Sequence, residues 1–404
     1  MNLGAGDSLA SERLWTRDFW LISLATFFVF FSFQMLMPTL PAYVQTLGAP
    51  EGIIGLVTGL FAASALMVRP FIGRELDRRG RTGIYRLGLV VFALAVLTYR
   101  WADTPGLVLA VRLVHGFAWG LVTTAAGTIV SDLVPPARRG EGMGYYGMFM
   151  NMAMAIAPAA GLYVIYHYRY PPLFYASTAL ALTALLLAWR LRQSQGRPPE
   201  PNEANANENP APGLSALFEP RALYPALLTL LLSFGHASIG TFLQLYAQSR
   251  GVANVGPFFT VQALSVMGMR PISGRLFDRR GPNPVVIPGL CLVVASLVVL
   301  SRSASLGWFL LAGALYGVGT GAALPAFQAL AVAGLPPERR GAANATYFSA
   351  LDLGVGSGGI SLGLVAQWWG FPAIYLAAAG MVLLGLVIYL SRAAGEIEPE
   401  RFRA

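Results

Sequence analysis

Lysine is missing from the whole 404-residue chain, cysteine occurs once, histidine three times, and only 12% of residues are charged. Ordinary soluble domains carry about 25% charged residues, so that class is excluded. The single cysteine, Cys291, rules out a disulfide framework and thiolate metal clusters. No Walker-type phosphate loop, metal-ligand cluster or nucleophile–base pair appears. The connecting segments are too short to hold a soluble catalytic domain, so the chain reads as neither enzyme nor metalloprotein, and no cofactor is expected. Any work it performs draws on an ion gradient or on a solute's own gradient. The +9 net charge rests on arginine alone, and the placement of those arginines makes a nucleic-acid partner unnecessary.

What is abundant is apolar length. At 55% hydrophobic, the chain divides into twelve stretches over roughly 18–41, 52–72, 83–101, 105–131, 141–164, 172–192, 222–249, 253–275, 283–302, 306–332, 341–367 and 371–392. A hydrocarbon core of about 30 Å needs about 20 apolar residues per helix. The runs are continuous rather than alternating, which excludes a spanning β-barrel, and the first lacks the cleavage site of a signal peptide. Arg100, Arg169, Arg250 and Arg302 fall on one side of these spans and Arg112 inside one, while the remaining arginines lie in or beside the loops and termini of the other side. Basic loops stay in the cytoplasm, so both termini and the central linker are expected there, in a multi-pass protein of a bacterial inner membrane.

The second half repeats the first at a fixed offset of 201 residues. Arg69-Pro70 with Gly73-Arg74-Glu75-Leu76-Asp77-Arg78-Arg79-Gly80 recurs as Arg270-Pro271 with Gly274-Arg275-Leu276-Phe277-Asp278-Arg279-Arg280-Gly281, and Pro135 to Gly140 maps onto Pro336 to Gly341. The fold expected is an all-α membrane protein of twelve transmembrane helices in two pseudo-symmetric six-helix bundles: an N-terminal bundle over 1–192, a polar cytoplasmic linker over 193–221 and a C-terminal bundle over 222–404. Two homologous bundles can rock about a site between them, which is the architecture of a secondary transporter. Spans 3, 6, 9 and 12 are almost uniformly apolar and suit lipid. Spans 1, 4, 5, 7, 8, 10 and 11 carry polar groups, which in hydrocarbon face a bundle interior or a water-filled cavity.

Over its full length the chain resembles the major facilitator superfamily. Gly73-x-x-x-Asp77-Arg78-x-Gly80-Arg81 is similar to that family's signature loop, repeated in the second half around Asp278. The resemblance implies a conformational latch: Asp77 accepts charge-assisted hydrogen bonds or faces a helix N-terminus, while Arg74, Arg78 and Arg81 pair with Asp132 or Glu141. Gly73 and Gly80 permit close packing and a tight turn. Arg112-Leu113-Val114-His115-Gly116-x-x-x-Gly120 is similar to the helix 4 motif of proton-coupled exporters, which implies a coupling role for Arg112 beside His115. Ala157-Pro158-Ala159-Ala160-Gly161 resembles the antiporter motif on helix 5, with Ala157 in place of its first glycine. Pro158 removes a helical hydrogen bond and bends the helix, and Gly161 allows close contact. The methionines from Met143 to Met154 are spread around the helix and read as flexible packing, not as metal ligands.

Asp352 is the acid that falls near the middle of a span, and the repeat maps it onto Asn151. An acid there is the first candidate for taking up a proton, because a neutral side chain lowers the barrier to moving the bundle through its closed form; His115 and His236 are the other titratable candidates. The substrate cavity is expected to include Gln34, Met37, Tyr145, Asn151, His236, Gln244, Tyr246, Phe258, Gln262 and Gln328, a mixture of rings and amides suited to an amphipathic or cationic organic molecule. The reading is a proton-coupled exporter, or antiporter, of small organic molecules, resembling the drug–proton branch, with the lipid bilayer, protons and a small-molecule substrate as partners. The family implies a monomer. Arg138-Arg139-Gly140-Glu141-Gly142-Met143-Gly144-Tyr145 also resembles metallophore exporters, which makes an amino-carboxylate chelator an alternative cargo bound by Arg112 and the histidines. Uptake of a nutrient by symport is a further alternative.

Overall fold

A computed structural model describes residues 14–135, 138–192, 219–335 and 337–393, with side chains throughout except at 70, 71, 73–79, 139, 140, 337, 338, 340, 341 and 393. Twelve long helices make up almost all of it: α1 (Arg17–Thr46), α2 (Glu51–Arg79), α3 (Arg81–Thr98), α4 (Pro105–Leu133), α5 (Arg139–Tyr168), α6 (Tyr170–Trp189), α7 (Leu223–Ser249), α8 (Gly256–Arg280), α9 (Asn283–Ser301), α10 (Leu306–Val332), α11 (Pro337–Trp369) and α12 (Phe371–Ala393). No strand occurs among the described residues. Most of the expected linker, 193–218, lies outside them.

Eleven of the helices are long and apolar enough to cross a membrane. The twelfth, α8, differs in composition and not in reach. Its 25 residues span about 37 Å at 1.5 Å each, but Gln262, Ser265, Arg270, Arg275, Arg279 and Arg280 lower its apolarity. Helix ends follow local chemistry. Thr16 and Thr104 cap α1 and α4 by accepting from the backbone N–H groups of Phe19 and Leu107. Gly80 (φ 82°) and Gly281 (φ 78°) turn the chain from α2 into α3 and from α8 into α9, in a region where only glycine sits without strain. Leu87, Leu94, Leu182, Leu186, Leu383 and Val387 are exposed on the outer helices, a surface that suits hydrocarbon and would be a liability in water.

Packing repeats at the same spacing as the sequence. Gly116 and Gly120 of α4 lie against the backbones of Phe61 and Ala65 on α2, and Gly317 and Gly321 of α10 lie against Gln262 and Val266 on α8. Gly88 of α3 meets Leu121 and Val122, and Gly289 of α9 meets Ala322 and Ala323. Each member of the second set is the first shifted by 201.

Between α1–α6 and α7–α12 the main contacts are made by α2 with α11, α5 with α8, and α1 with α7. Helices α3, α6, α9 and α12 pack within their own set, as their uniform apolarity predicts; α4 and α10, expected to line the space between the sets, also do so. The seam is tight on the face opposite the arginine-rich loops. There Gly55 sits against the backbones of Gly359 and Gly363, Gly59 against Ile360, Gly356 against Ala62, and Gly256 beside Ala159 and Leu162. The Thr58 and Thr241 hydroxyls share a buried hydrogen bond of 2.8 Å across it. Toward the arginine-rich face α5 and α8 part: at Gly144 and Gly147 of α5 and Gly274 of α8, no neighbouring helix among the described residues comes within 4 Å of where a Cβ would stand.

Candidate functional site

Where the tight and open parts of the seam meet, two polar pairs join the helix sets. Arg69 of α2 forms an ion pair with Asp352 of α11, Nη2 to Oδ2 2.8 Å, both side chains about a quarter exposed (25% and 26%). Arg270 of α8 donates from Nη2 to Oδ1 of Asn151 on α5 at 3.1 Å. Arg69 and Arg270 are repeat mates, and so are Asp352 and Asn151. The two contacts are therefore one geometry used twice, once with a carboxylate and once with an amide. The glycine zipper of α2 and α11 brings the backbones close enough for Arg69 to reach across to Asp352. The repeat itself pointed to Asp352 and Asn151, whereas the arginines were read as part of a loop block, because nothing in the sequence says that α2 faces α11.

Arg112 and His115 lie elsewhere. Both are 0% exposed, sealed inside the first helix set, away from the space between the two sets. Total burial excludes snorkelling of Arg112 to the membrane interface. Its polar neighbour is the Tyr99 side chain, with no ideally aligned hydrogen bond to the guanidinium, and the Phe61 ring stands 4.8 Å from its Cζ. His115 shares Nδ1 with the Tyr99 hydroxyl at 3.1 Å and packs edge-on to Phe92. A cation–π contact contributes about 0.5–2 kcal/mol, less than the several kcal/mol it costs to desolvate a cation. Arg112→Met is therefore expected to raise stability by about 1–4 kcal/mol, seen as a higher unfolding temperature in detergent. A lower one shows that the guanidinium is compensated.

The expected cavity residues divide. Asn151 is at the seam. Gln34, Met37, Gln262 and His236 are half-buried; Met37 lies against Gly240 of α7, and His236 shares Nδ1 with the Tyr316 hydroxyl at 3.1 Å. Four are engaged by neighbours in their own helix set. Tyr145 packs on Trp15, ring centroids 4.6 Å apart. Tyr246 is buried and its hydroxyl donates to the Ser301 and Ser303 carbonyls at 3.1 and 3.2 Å. Phe258 is buried against Gly313 of α10. Gln328 donates to Asn344 Oδ1 at 3.2 Å, tying α10 to α11. Gln244 lines a different space, a cleft of about 660 Å³ with Thr46, Arg169, Tyr170 and Gln248 at the arginine-poor face. Helix rotation decides each of these, and aromatic or amide character alone does not report it.

Arg81 pairs with Asp132, tying α3 to the end of α4. Glu141 is held by Arg138 in a bidentate contact of 2.8 Å on each oxygen within the start of α5. The side chains of Gly73, Arg74, Asp77 and Arg78 lie outside the described residues, and Asp278 is exposed at the end of α8. Helix α5 continues through Pro158, and Gly161 sits against the backbone of Met35 on α1.

Comparison with known proteins agrees with this architecture. The staphylopine export protein of Staphylococcus aureus is 24% identical over 368 residues, covering 89% of this chain and 92% of its own. The multidrug resistance protein MdtG of Salmonella arizonae is 25% identical over 389 residues, 92% of this chain and 94% of its own. The crystal structure of the nucleoside transporter NupG superposes with a TM-score of 0.73 at 16% identity, covering 94% of this chain and 99% of that one. The sequence pattern of the Major Facilitator Superfamily matches residues 22–301 and 253–404. With twelve helices packed as a repeated set of six and a polar seam between them, the chain belongs to the major facilitator superfamily of membrane transporters.

Proposed function

We propose that the protein is a proton-coupled exporter of small organic molecules, working by alternating access between residues 1–192 and 222–404 with 193–221 as their tether. The arginine-rich face is cytoplasmic, by the bias that keeps basic loops inside, which makes the described arrangement an inward-open one. Efflux as the direction is supported by relatives whose names denote export and multidrug resistance.

The observation that carries this reading is the Arg69–Asp352 pair, 2.8 Å long, at the inner end of the closed seam. While Asp352 is ionised, its attraction to Arg69 adds about 1 kcal/mol to the glycine packing that holds α2 and α11 together at the outer face. Protonation removes that attraction and leaves the outer seam held by glycine packing and the Thr58–Thr241 hydrogen bond. A proton arriving at Asp352 from outside and leaving inside thus links the two open forms, and the partial exposure of both side chains gives it a path. A ligand shifts such an equilibrium only by its different affinity for the two forms, and here the proton is that ligand.

The test is a substrate screen in proteoliposomes under an imposed pH gradient, comparing the native protein with Asp352→Asn. Gradient-driven accumulation of one of the screened small organic molecules by the native protein, lost in the variant, is the expected outcome. Accumulation with unchanged pH dependence in the variant removes Asp352 from the coupling step and returns the role to His236, the other half-buried titratable candidate.

A further inference from the structure

We propose that Arg270, together with Asn151, is the docking point for a carboxylate group on the transported molecule. The inference rests on reading the space between the helix sets as the transport path. It starts from the unequal chemistry of two equivalent places. At α2–α11 the guanidinium of Arg69 meets a carboxylate; at α5–α8 the guanidinium of Arg270, in the same geometry, meets an amide. The first pair is neutral overall and the second carries one uncompensated positive charge.

Among the described residues no acid of the protein neutralises Arg270. Asp352 is taken by Arg69 and Glu141 by Arg138. Asp278 stands eight residues further along α8, about 12 Å at 1.5 Å per residue. Arg270 is itself exposed, so an anion entering the space between the helix sets reaches it directly, and an unbalanced positive charge in a cleft draws in anions. The donor arrangement suits a carboxylate in particular. Because Asn151 turns its oxygen toward Arg270, its NH2 group stays available, and beside the remaining guanidinium N–H groups it makes a set of donors with no acceptor among them. Room for the anion's carrier lies on the open side of the pair, where Gly144 and Gly147 of α5 and Gly274 of α8 carry no side chain and no neighbouring helix among the described residues approaches them within 4 Å. The other basic candidate, Arg112, is sealed away.

The two seams then divide the work: Asp352 with Arg69 handles the proton, and Arg270 with Asn151 holds the substrate anion. Swapping the acceptors tests this directly. Asn151→Asp supplies Arg270 with an internal carboxylate, so the anion is expelled; Asp352→Asn turns the α2–α11 seam into a copy of the other, so a second anion is admitted. Titration calorimetry of the purified full-length protein in detergent, with iminodiacetate as probe and its diamide as the neutral control, reads both. Expected are one equivalent of iminodiacetate for the native protein, none for Asn151→Asp and two for Asp352→Asn. Arg270→Gln is expected to weaken binding at least tenfold, with Arg270→Lys in between, and the diamide gives no heat in any of them. Unchanged stoichiometry in the two swaps, equal binding of the diamide, or no carboxylate binding to the native protein overturns the proposal. These measurements involve no gradient, so failure of the coupling role of Asp352 shows only in the transport assay and stays distinguishable.

Discussion

Asp352→Asn is expected to uncouple transport while leaving the path open. The substitution keeps the size of the side chain and an oxygen for Arg69 but removes the ionisable group, so the pair becomes chemically equivalent to Asn151 with Arg270. For exchange of one proton per substrate, one unit of imposed pH difference corresponds to about 1.4 kcal/mol, a tenfold substrate gradient. In the variant that gradient is expected to collapse to unity, while exchange of labelled for unlabelled substrate at equal pH continues within a fewfold of native. The ion pair itself is partly exposed and contributes only about 1 kcal/mol to holding the outer seam. The change in resting conformation is therefore modest, and the loss of coupling is the large effect. Accumulation that still follows the pH gradient places the proton elsewhere.

Gly55→Leu is expected to force the outer seam apart. A Cβ at Gly55 collides with the carbonyl of Gly359 and stands 3.2 Å from Cα of Gly363. Both obstacles are backbone, so neither rotates away as a side chain does. Overpacking of this kind costs about 1–3 kcal/mol, occasionally more, and each 1.4 kcal/mol moves an equilibrium about tenfold. Because the strain exists only while α2 and α11 are zipped, the cost falls on the described arrangement and not on the fold as a whole. Spin-label distances between the loop joining α1 to α2 and the loop joining α7 to α8 are expected to lengthen, with net transport lost. Gly147→Leu carries the opposite sign. Its surroundings are open in this arrangement, so thermal stability is expected to stay within about 0.5 kcal/mol while closure of the arginine-rich face is hindered. Unaltered distances in Gly55→Leu show that the glycine zipper is not what keeps that face shut.

The parts of the molecule that were legible in advance are those governed by solvent. Apolar length and its interruption by arginine located the helices because every backbone group in hydrocarbon must be satisfied within its own helix, and eleven of the twelve cross by that measure alone. The exception, α8, is the polar helix that carries Arg270. The 201-residue repeat reappears in the packing of glycines against α2 and α8, because a small residue in a duplicated helix meets a duplicated neighbour. It also pointed to Asp352 and Asn151 as a matched pair.

What remained hidden is what depends on helix rotation and on partners distant in the chain. The helix 4 motif marked Arg112 for a coupling role beside His115 but did not show that this face of α4 lies inward against Phe61 and Tyr99, where the arginine is sealed. Tyr145, Tyr246 and Phe258 were counted as lining because rings favour binding sites; each is occupied by a neighbour in its own half. Sequence by itself determined the helices, their duplication and the depth of Asp352, since these follow from transfer free energies summed along the chain. Only the tertiary structure decided that Asp352 faces Arg69, that Arg270 faces an amide, and which end of the seam is closed, since those follow from side-chain reach across a few ångströms between helices far apart in sequence.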